Sequence, residues 1–375
     1  MSFSPPRPAD APDLSAFKRV LITKLRHHGD VLLASPVFHV LKQHAPHLEL
    51  DALVYSDTVE MLEGHPAIAQ IHRVDRLWKD AGLTTQVPEE LALARILNER
   101  AYDMVIHLSE HPRGARLARM KSVKVSVGPE GYKARGLSKF GGTPAFSHFY
   151  KLPRRGNARH MVEVNLDALR RIGIQPAEDA RQLRLSIGKA EEGHLARLFG
   201  QHGLIPKQFL HLHPASRWFF KCWTVDGNAA LIDKLVVAGH QVVLTAAPSE
   251  AELKFVAAII ERCKSKPLSL AGQLSLKQLA ALSGAARLFI GVDSAPMHIA
   301  AAMQTPTVAL FGPSGEIEWG PWQVASRVVT SAHTCRPCGH DGCGGGKISE
   351  CLTTLPVSQV FDAVQALLNA TAPTV

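Results

Sequence analysis

Residues 286–312, ARLFIGVDSAPMHIAAAMQTPTVALFG, decide the fold. They read as strand, turn, helix, strand. An apolar run over 288–291 leads into the turn Val292-Asp293-Ser294-Ala295-Pro296. An Asp-Ser step followed by proline is a helix start. The polar side chains cap free N–H groups, and the proline sits in the first turn, where its missing N–H costs nothing. The helix expected over 297–303 is small and apolar, so it should be buried. Its free N–H groups and positive dipole end then face the carboxyl edge of a parallel sheet, where anionic phosphates bind. The same residues also suit an ordinary strand–helix unit with a capped helix.

The pattern repeats on both sides. Strands are expected at 19–24, 48–54 and 104–108, with helices at 30–44, 89–99 and 161–172. The polar, Pro-containing segment 173–182 reads as an interdomain linker. The alternation then restarts. Strands are expected at 209–213 and 241–245, helices at 225–237, 250–263 and 276–282, and a last helix at 357–368. Repeated βα units in two halves imply an α/β protein with two Rossmann-like, doubly wound parallel sheets facing a cleft. The expected boundaries are a first domain over 18–175, a second over 183–355 and a C-terminal helix over 356–375. No internal sequence repeat is apparent.

The chain has 375 residues, 46% hydrophobic and 20% charged, which suits two globular domains with sizeable cores. No apolar run reaches the ~18 residues that a membrane span requires. Residues 1–17 are rich in proline and polar groups and lack an apolar core segment. They read as a disordered tail rather than a signal peptide, and a cytoplasmic protein follows. In that compartment the six cysteines are thiols or metal ligands.

The net charge of +9 is unevenly placed. Between Arg113 and Arg159 stand twelve Lys or Arg and one acidic residue, Glu130, a local balance of 12 − 1 = +11. Such a block is either a solvated loop or a surface for an anionic partner. Aromatics are 6% of the chain and none interleave with these arginines as base-stacking platforms would, which argues against nucleic acid. A phosphorylated or carboxylated glycan, or an anionic membrane surface, fits better. Arg113, Arg116, Arg119 and Lys121 are the candidate contacts.

Two further strand ends carry chemistry. The turn Leu25-Arg26-His27-His28-Gly29-Asp30 has one glycine where a dinucleotide fold would place G-x-G-x-x-G, which argues against NAD or FAD. Asp30 is either a helix cap or a general base held ionised by the helix N-terminus. In the stretch 213–223, HPASRWFFKCW, Ser216 and Lys221 offer a hydroxyl and a cation for a diphosphate leaving group. Cys335, Cys338, Cys343 and Cys351 form C-x2-C-x4-C-x7-C among glycines. The first pair suits a structural zinc site, although the second spacing is not a standard one.

These residues resemble a known family. KLRHHGDVLLASPV, HPASRWFFKCW, the long segment LAGQLSLKQLAALSGAARLFIGVDSAPMHIAAAMQTPTVALFGPS and the closing EWGPW together look like family 9 glycosyltransferases, the ADP-heptose:lipopolysaccharide heptosyltransferases. Within it they are most similar to members that add the branching heptose of the lipopolysaccharide core. The resemblance runs from about Lys18 to Leu368 and leaves out the N-terminal tail and the Cys loop.

It implies a GT-B fold and an inverting transfer of L-glycero-D-manno-heptose from ADP-heptose to an inner-core heptose. It implies the acceptor on the first domain and the sugar nucleotide on the second. By the resemblance, Asp30 is the catalytic base, and Ser216 and Lys221 touch donor phosphate and heptose. Asp293 binds heptose hydroxyls, Ser294 and Ala295 cradle the diphosphate, and His298 lines the site. Glu250 takes the ribose hydroxyls, and Leu274 flanks the adenine. Ala215 departs from a hydroxyl residue in some relatives, which leaves more to Ser216.

The sequence contains no D-x-D, so no catalytic cofactor is expected; helix dipole and lysine take the place of Mg²⁺. The expected partners are ADP-heptose and the anionic lipopolysaccharide inner core at the inner face of the inner membrane, with no nucleic acid and no transmembrane segment. Other members with a different core acceptor, another GT-B nucleotide-sugar enzyme, and a non-catalytic nucleic-acid- or lipid-binding protein are the alternatives.

Overall fold

The computed structural model describes residues 7–79, 82–130, 146–153 and 158–372. Lys133, Arg135, Lys139, Arg154 and Arg155 of the basic block lie outside them. The chain divides into two compact units, Met1–Arg154 with Met161–Arg184, and Arg155–His160 with Leu185–Val375.

The first unit runs β1 (Arg19–Thr23), α1 (His28–Leu32), α2 (Ser35–His44), β2 (Glu49–Tyr55), β3 (Gln70–Val74), α3 (Leu83–Glu99), β4 (Met104–His107), α4 (Arg113–Leu117), β5 (Val125–Pro129), β6 (His148–Tyr150) and α5 (Met161–Arg171). Its six strands are ordered β3-β2-β1-β4-β5-β6 and every pairing is parallel. In register, Val20 lies between Leu50 and Met104, and Ile22 between Ala52 and Ile106. Strands covered on both faces cannot alternate apolar with polar, which is why β1 and β4 read as unbroken apolar runs.

The second unit runs α6 (Lys189–His202), β7 (Phe209–His213), α7 (Val225–Val237), β8 (Gln241–Leu244), α8 (Glu250–Arg262), β9 (Leu268–Ser269), α9 (Leu276–Ala285), β10 (Leu288–Val292), α10 (Ala295–Ala302), β11 (Thr307–Phe311), α11 (Glu316–Trp319), β12 (Ser326–Thr330), α12 (Glu350–Thr353) and α13 (Val357–Ala370). The order β12-β11-β10-β7-β8-β9, again all parallel, is the same topology as in the first unit. Leu210, Leu212, Leu288, Ile290 and Val308 of the sheet pack with Leu231, Ile232 and Leu235 of α7 and Val360 and Val364 of α13. The last helix is therefore part of this core.

Several expectations are corrected. The helix expected over 30–44 is two helices, because Pro36 has no N–H to continue the first and instead opens α2. Within the expected disordered tail, residues 7–17 are held in place. Asp13 caps a short 3-10 turn, Leu14 and Phe17 are buried, and Asp10 pairs with Arg171. The segment read as a linker belongs to the first unit, where Arg181 donates to the Pro176 carbonyl at 2.9 Å and Ala180 is buried. β5, whose run VSVGP is interrupted by Ser126, Gly128 and Pro129, escaped the sequence reading, as did the short or half-exposed strands β3, β6, β9 and β12, since few residues carry their pattern.

At the carboxyl end of β1, Lys24 is buried, with Nζ donating to the Leu108 carbonyl and to Asn165 Oδ1, both at 2.9 Å. Burial pulls its ammonium down to about 8, and the nearby Asp30 carboxylate offsets part of that cost. The unfolded amine keeps its proton to near 10.5, so between those values the unfolded chain binds more protons and stability rises with pH. The stability difference between wild type and Lys24→Met should therefore move in favour of wild type by on the order of 2 kcal/mol between pH 7 and 9.5. Urea titrations at the two pH values check this; a pH-independent difference would count against a buried amine.

Candidate active site

In the second unit the strand order reverses between β7 and β10, and ligands of open α/β sheets bind at the carboxyl ends flanking such a reversal. Both expected donor segments leave the sheet there. Beyond β7 the chain passes through Pro214, Ala215 and Ser216 into a 3-10 turn, Phe219–Lys221. This loop is anchored: Ser349 Oγ donates to the Phe220 carbonyl at 2.6 Å, and the buried Trp223 Nε1 donates to the Leu355 carbonyl at 3.2 Å. Lys221 Nζ thereby reaches Asp293 Oδ2, beyond β10, at 2.6 Å. The Asp293 side chain is 6% exposed and that of Lys221 23%, so the pair has a buried carboxylate and a cation at the surface.

Ser294 is the N-cap of α10 but makes no side-chain capping bond; its Oγ donates back to the Val292 carbonyl at 3.3 Å. With Pro296 in the first turn, the backbone N–H groups of Ser294 and Ala295 are left to meet an anion. Met297 to Ala301 are buried, and His298 is 3% exposed on the same helix. Ser216 is 5% exposed, and its Oγ accepts from the Trp218 N–H at 3.3 Å. The structure thus brings Lys221 into contact with Asp293, and Asp293 directly precedes Ser294 and Ala295 at the start of α10. Leu274 lies at the entry of α9, half-buried against the cluster of Phe209, Leu270 and Leu282.

In the first unit, Asp30 is in the first turn of α1, its side chain 11% exposed. Arg26 Nε stands 3.6 Å from Asp30 Oδ1, and Lys24 adds a second, buried positive charge. Asp30 thus stands at a helix N-terminus between two cationic side chains.

The model of glycosyltransferase family 9 (heptosyltransferase) matches residues 90–348. Over 352 residues, 93% of this chain and 98% of the relative, the chain is 32% identical to lipopolysaccharide heptosyltransferase 3 of Escherichia coli strain K12. A second lipopolysaccharide heptosyltransferase 3 from Escherichia coli is 33% identical over 299 residues, 80% of this chain and 84% of its own. The chain belongs to glycosyltransferase family 9. A family 9 glycosyltransferase of Veillonella parvula superposes with a TM-score of 0.78 at 25% identity, over 94% of this chain and 98% of that one. An ADP-heptose lipopolysaccharide heptosyltransferase II of Escherichia coli superposes at 0.72 and 20%, over 94% and 99%. Two six-stranded, Rossmann-like parallel sheets are the GT-B architecture, as the resemblance implied.

In this family 9 enzyme, three sequence expectations meet different surroundings. Glu250 is 81% exposed and paired with Lys254 at 2.6 Å. The buried acid is Glu252, whose Oε2 accepts the Ala247 N–H at 2.9 Å in the loop after β8. Residues two apart on a helix point about 200° apart, so only one of the two can face the sheet. Glu252, four and seven residues before Val256 and Ile259, shares their buried face, a signal present in the sequence.

Arg113, expected at an acceptor surface, is buried and grips Glu90 with both terminal nitrogens, so its charge is spent within the unit. Arg116, Arg119 and Lys121 are exposed. The four thiols of the Cys loop are unpaired, and among the described residues no group of three or more His, Cys, Asp or Glu is arranged to hold a metal ion. The zinc expectation rests on spacing alone. What fixes the loop is Arg336, whose Nε donates to the Gly312 carbonyl at 2.6 Å, and the buried Cys351 beneath Gly312. Burial, and then the neighbouring thiols, push the Cys351 thiol upward against the pull of Arg336.

Breaking a largely buried pair leaves a charge without its partner. Arg113→Ala should lower stability by on the order of 3 kcal/mol, whereas Arg116→Ala should change it by less than about 0.5 kcal/mol. Thermal melts of the two variants check the contrast; equal losses would mean that Arg113 is not the anchored member.

Proposed function

We propose that this enzyme transfers L-glycero-D-manno-heptose from ADP-heptose to an inner-core heptose of lipopolysaccharide, with inversion at the anomeric carbon. The observation that carries the reading is the Lys221–Asp293 contact at 2.6 Å, directly ahead of the uncapped N-terminus of α10. That arrangement offers a cation and free N–H groups to a diphosphate and a carboxylate to sugar hydroxyls. Bound donor would have its pyrophosphate against Ser216, Ser294 and Ala295, its heptose on Asp293, its adenine beside Leu274, and His298 lining the pocket. The ribose hydroxyls fall to Glu252 in place of the solvent-exposed Glu250. The names of the related proteins, lipopolysaccharide heptosyltransferases 3, support the branching-heptose type of acceptor.

The chemistry follows from charge. The acceptor hydroxyl attacks the anomeric carbon and ADP departs. Asp30 takes the hydroxyl proton late, when bond formation has made it acidic. Negative charge grows on the leaving phosphate oxygen, where Lys221 and the dipole of α10 oppose it. No step calls for a metal. The Cys loop takes no part in the reaction; Cys335, Cys338 and Cys343 act on the Cys351 thiol, and metal analysis of purified protein tests these four as ligands of a structural zinc.

The exposed Arg116, Arg119 and Lys121 would take the phosphates and acid-sugar carboxylates of the acceptor. Among the described residues no helix is long and apolar enough to cross a membrane. The reading places the enzyme at the cytoplasmic face of the inner membrane, drawn there by these cations and by its glycolipid acceptor.

Incubation with ADP-heptose and a series of truncated cores, with product linkage read by NMR, tests the assignment. Asp30→Asn should hold ADP-heptose with affinity within about twofold of wild type while kcat falls by about 10² to 10⁴. Transfer at near wild-type rate by that variant would remove Asp30 as the base. Reversing charge with Arg116→Glu and Arg119→Glu should raise the acceptor KM and leave the donor KM unchanged; the opposite split would move the acceptor surface elsewhere.

A further inference from the structure

Beneath the donor site of the second unit lies a chain of buried polar side chains of which the proposed function uses only Glu252. Ser283 of α9, His211 and His213 of β7, Thr245 just after β8 and Glu252 of α8 are all 6% exposed or less. Ser283 Oγ is 3.0 Å from His211 Nδ1. His211 Nε2 is 2.7 Å from Thr245 Oγ1, and the same hydroxyl is 2.8 Å from His213 Nδ1. His213 Nε2 then faces Glu252 Oε2 at 4.0 Å. Burial holds His213 down to about 4 and His211 well below the imidazole range, so both rings are neutral at physiological pH and each carries one N–H.

Counting protons settles the direction. The Thr245 hydroxyl has one hydrogen and two imidazole neighbours. If both rings donate to it, its own hydrogen has no acceptor. If the chain runs from His213 toward Ser283, the Ser283 hydrogen is stranded and the His213 Nε2 lone pair points at a carboxylate. One arrangement gives three of the four protons an acceptor and turns the fourth toward a carboxylate 4.0 Å away. Ser283 donates to His211 Nδ1, His211 Nε2–H to Thr245, Thr245 to His213 Nδ1, and His213 Nε2–H faces Glu252. Buried donors without acceptors are costly, which selects this arrangement over the others.

We infer that Ser283, His211, Thr245 and His213 form a one-way donor relay that fixes His213 as its Nε2–H tautomer and aims that N–H at Glu252, orienting this carboxylate for the hydroxyl pair of the donor nucleotide. The inference deepens the proposed function, since it rests on Glu252 as the ribose contact. The four relay members are positioning residues: they touch Glu252 or one another and leave the reacting atoms to others. The Ala247 N–H hydrogen-bonds the Glu252 oxygen from the loop side, and the His213 N–H faces it at 4.0 Å from the sheet side. A carboxylate held from two directions meets a cis-diol without reorganising.

Two measurements on the full-length enzyme test it. In ¹⁵N-histidine spectra at neutral pH, with His213 assigned by its loss in His213→Asn, Nε2 should be protonated and Nδ1 bare. Thr245→Val, an isostere without the hydroxyl, should abolish that single tautomer, and Thr245→Ser should restore it. An Nδ1–H tautomer in the wild type, or an unchanged spectrum in Thr245→Val, overturns the relay whatever the activity shows.

Calorimetry with ADP gives the functional arm. Thr245→Val and Glu252→Gln should each weaken binding about tenfold, and the double variant should lose little more than either alone. The kcat of Thr245→Val at saturating donor should stay within about twofold. Additive losses overturn the link between relay and carboxylate. Unchanged ADP affinity in Glu252→Gln would instead remove the ribose contact itself, and the tautomer result would still decide the relay.

Discussion

Parallel strands cannot be joined by tight turns. Each must be followed by a crossover, and the crossovers of one unit bring the carboxyl ends of all its strands to one edge of the sheet. The rest of this molecule depends on that constraint. Asp30 follows β1, Lys221 follows β7, Asp293 follows β10 and Glu252 opens the helix after β8, so the chemistry of each unit collects at one edge. The order β3-β2-β1-β4-β5-β6 and its equivalent in the second unit place the reversal beside the strands that carry Asp30 and the Lys221–Asp293 pair. Two units with one topology and no visible sequence repeat show how little of this architecture is owed to particular side chains.

Much of it was legible because buried parallel strands advertise themselves. The limits expected for the strand Phe209–His213 and the helix Val225–Val237 match the structure to the residue, and both are bounded by clear signals: a fully buried run in one case, Thr224 as N-cap in the other. The turn at Asp293–Pro296 was readable as a helix start for the same local reason. The marginal strands β9 and β12, two residues long and half-exposed respectively, have no pattern long enough to read. The helix break at Pro36 was visible in the sequence and was outweighed by the apolar run around it.

The site was legible where one short segment carries it and illegible where partners come from far along the chain. Lys221 and Asp293 are 72 residues apart, and only the sheet order makes them neighbours. Arg113 belonged to a conspicuous basic block, but its use is set by Glu90 on another helix, which composition does not reveal. The Glu250–Glu252 choice is different in kind. It turns on which face of α8 is buried, and the apolar spacing of Val256 and Ile259 carries that information. Lys24 and the histidines of β7 show a third case. Polar residues inside or just after apolar strands look like interruptions in a sequence, yet each has hydrogen-bond partners supplied by neighbouring strands and helices.

The Lys221–Asp293 contact has a meaning for selectivity that distance alone does not convey. Without a ligand the lysine already has a counter-ion, so the pocket offers little net charge to passing anions. On the proposed reading, an incoming diphosphate would take the ammonium over from Asp293, and the buried carboxylate so released would need new donors. Inorganic phosphate or free nucleotide can do only the first half of that exchange. A sugar diphosphate does both, its phosphates engaging the lysine while its hydroxyls satisfy the aspartate. On the proposed reading, the pair would open fully only to a molecule carrying anion and polyol together.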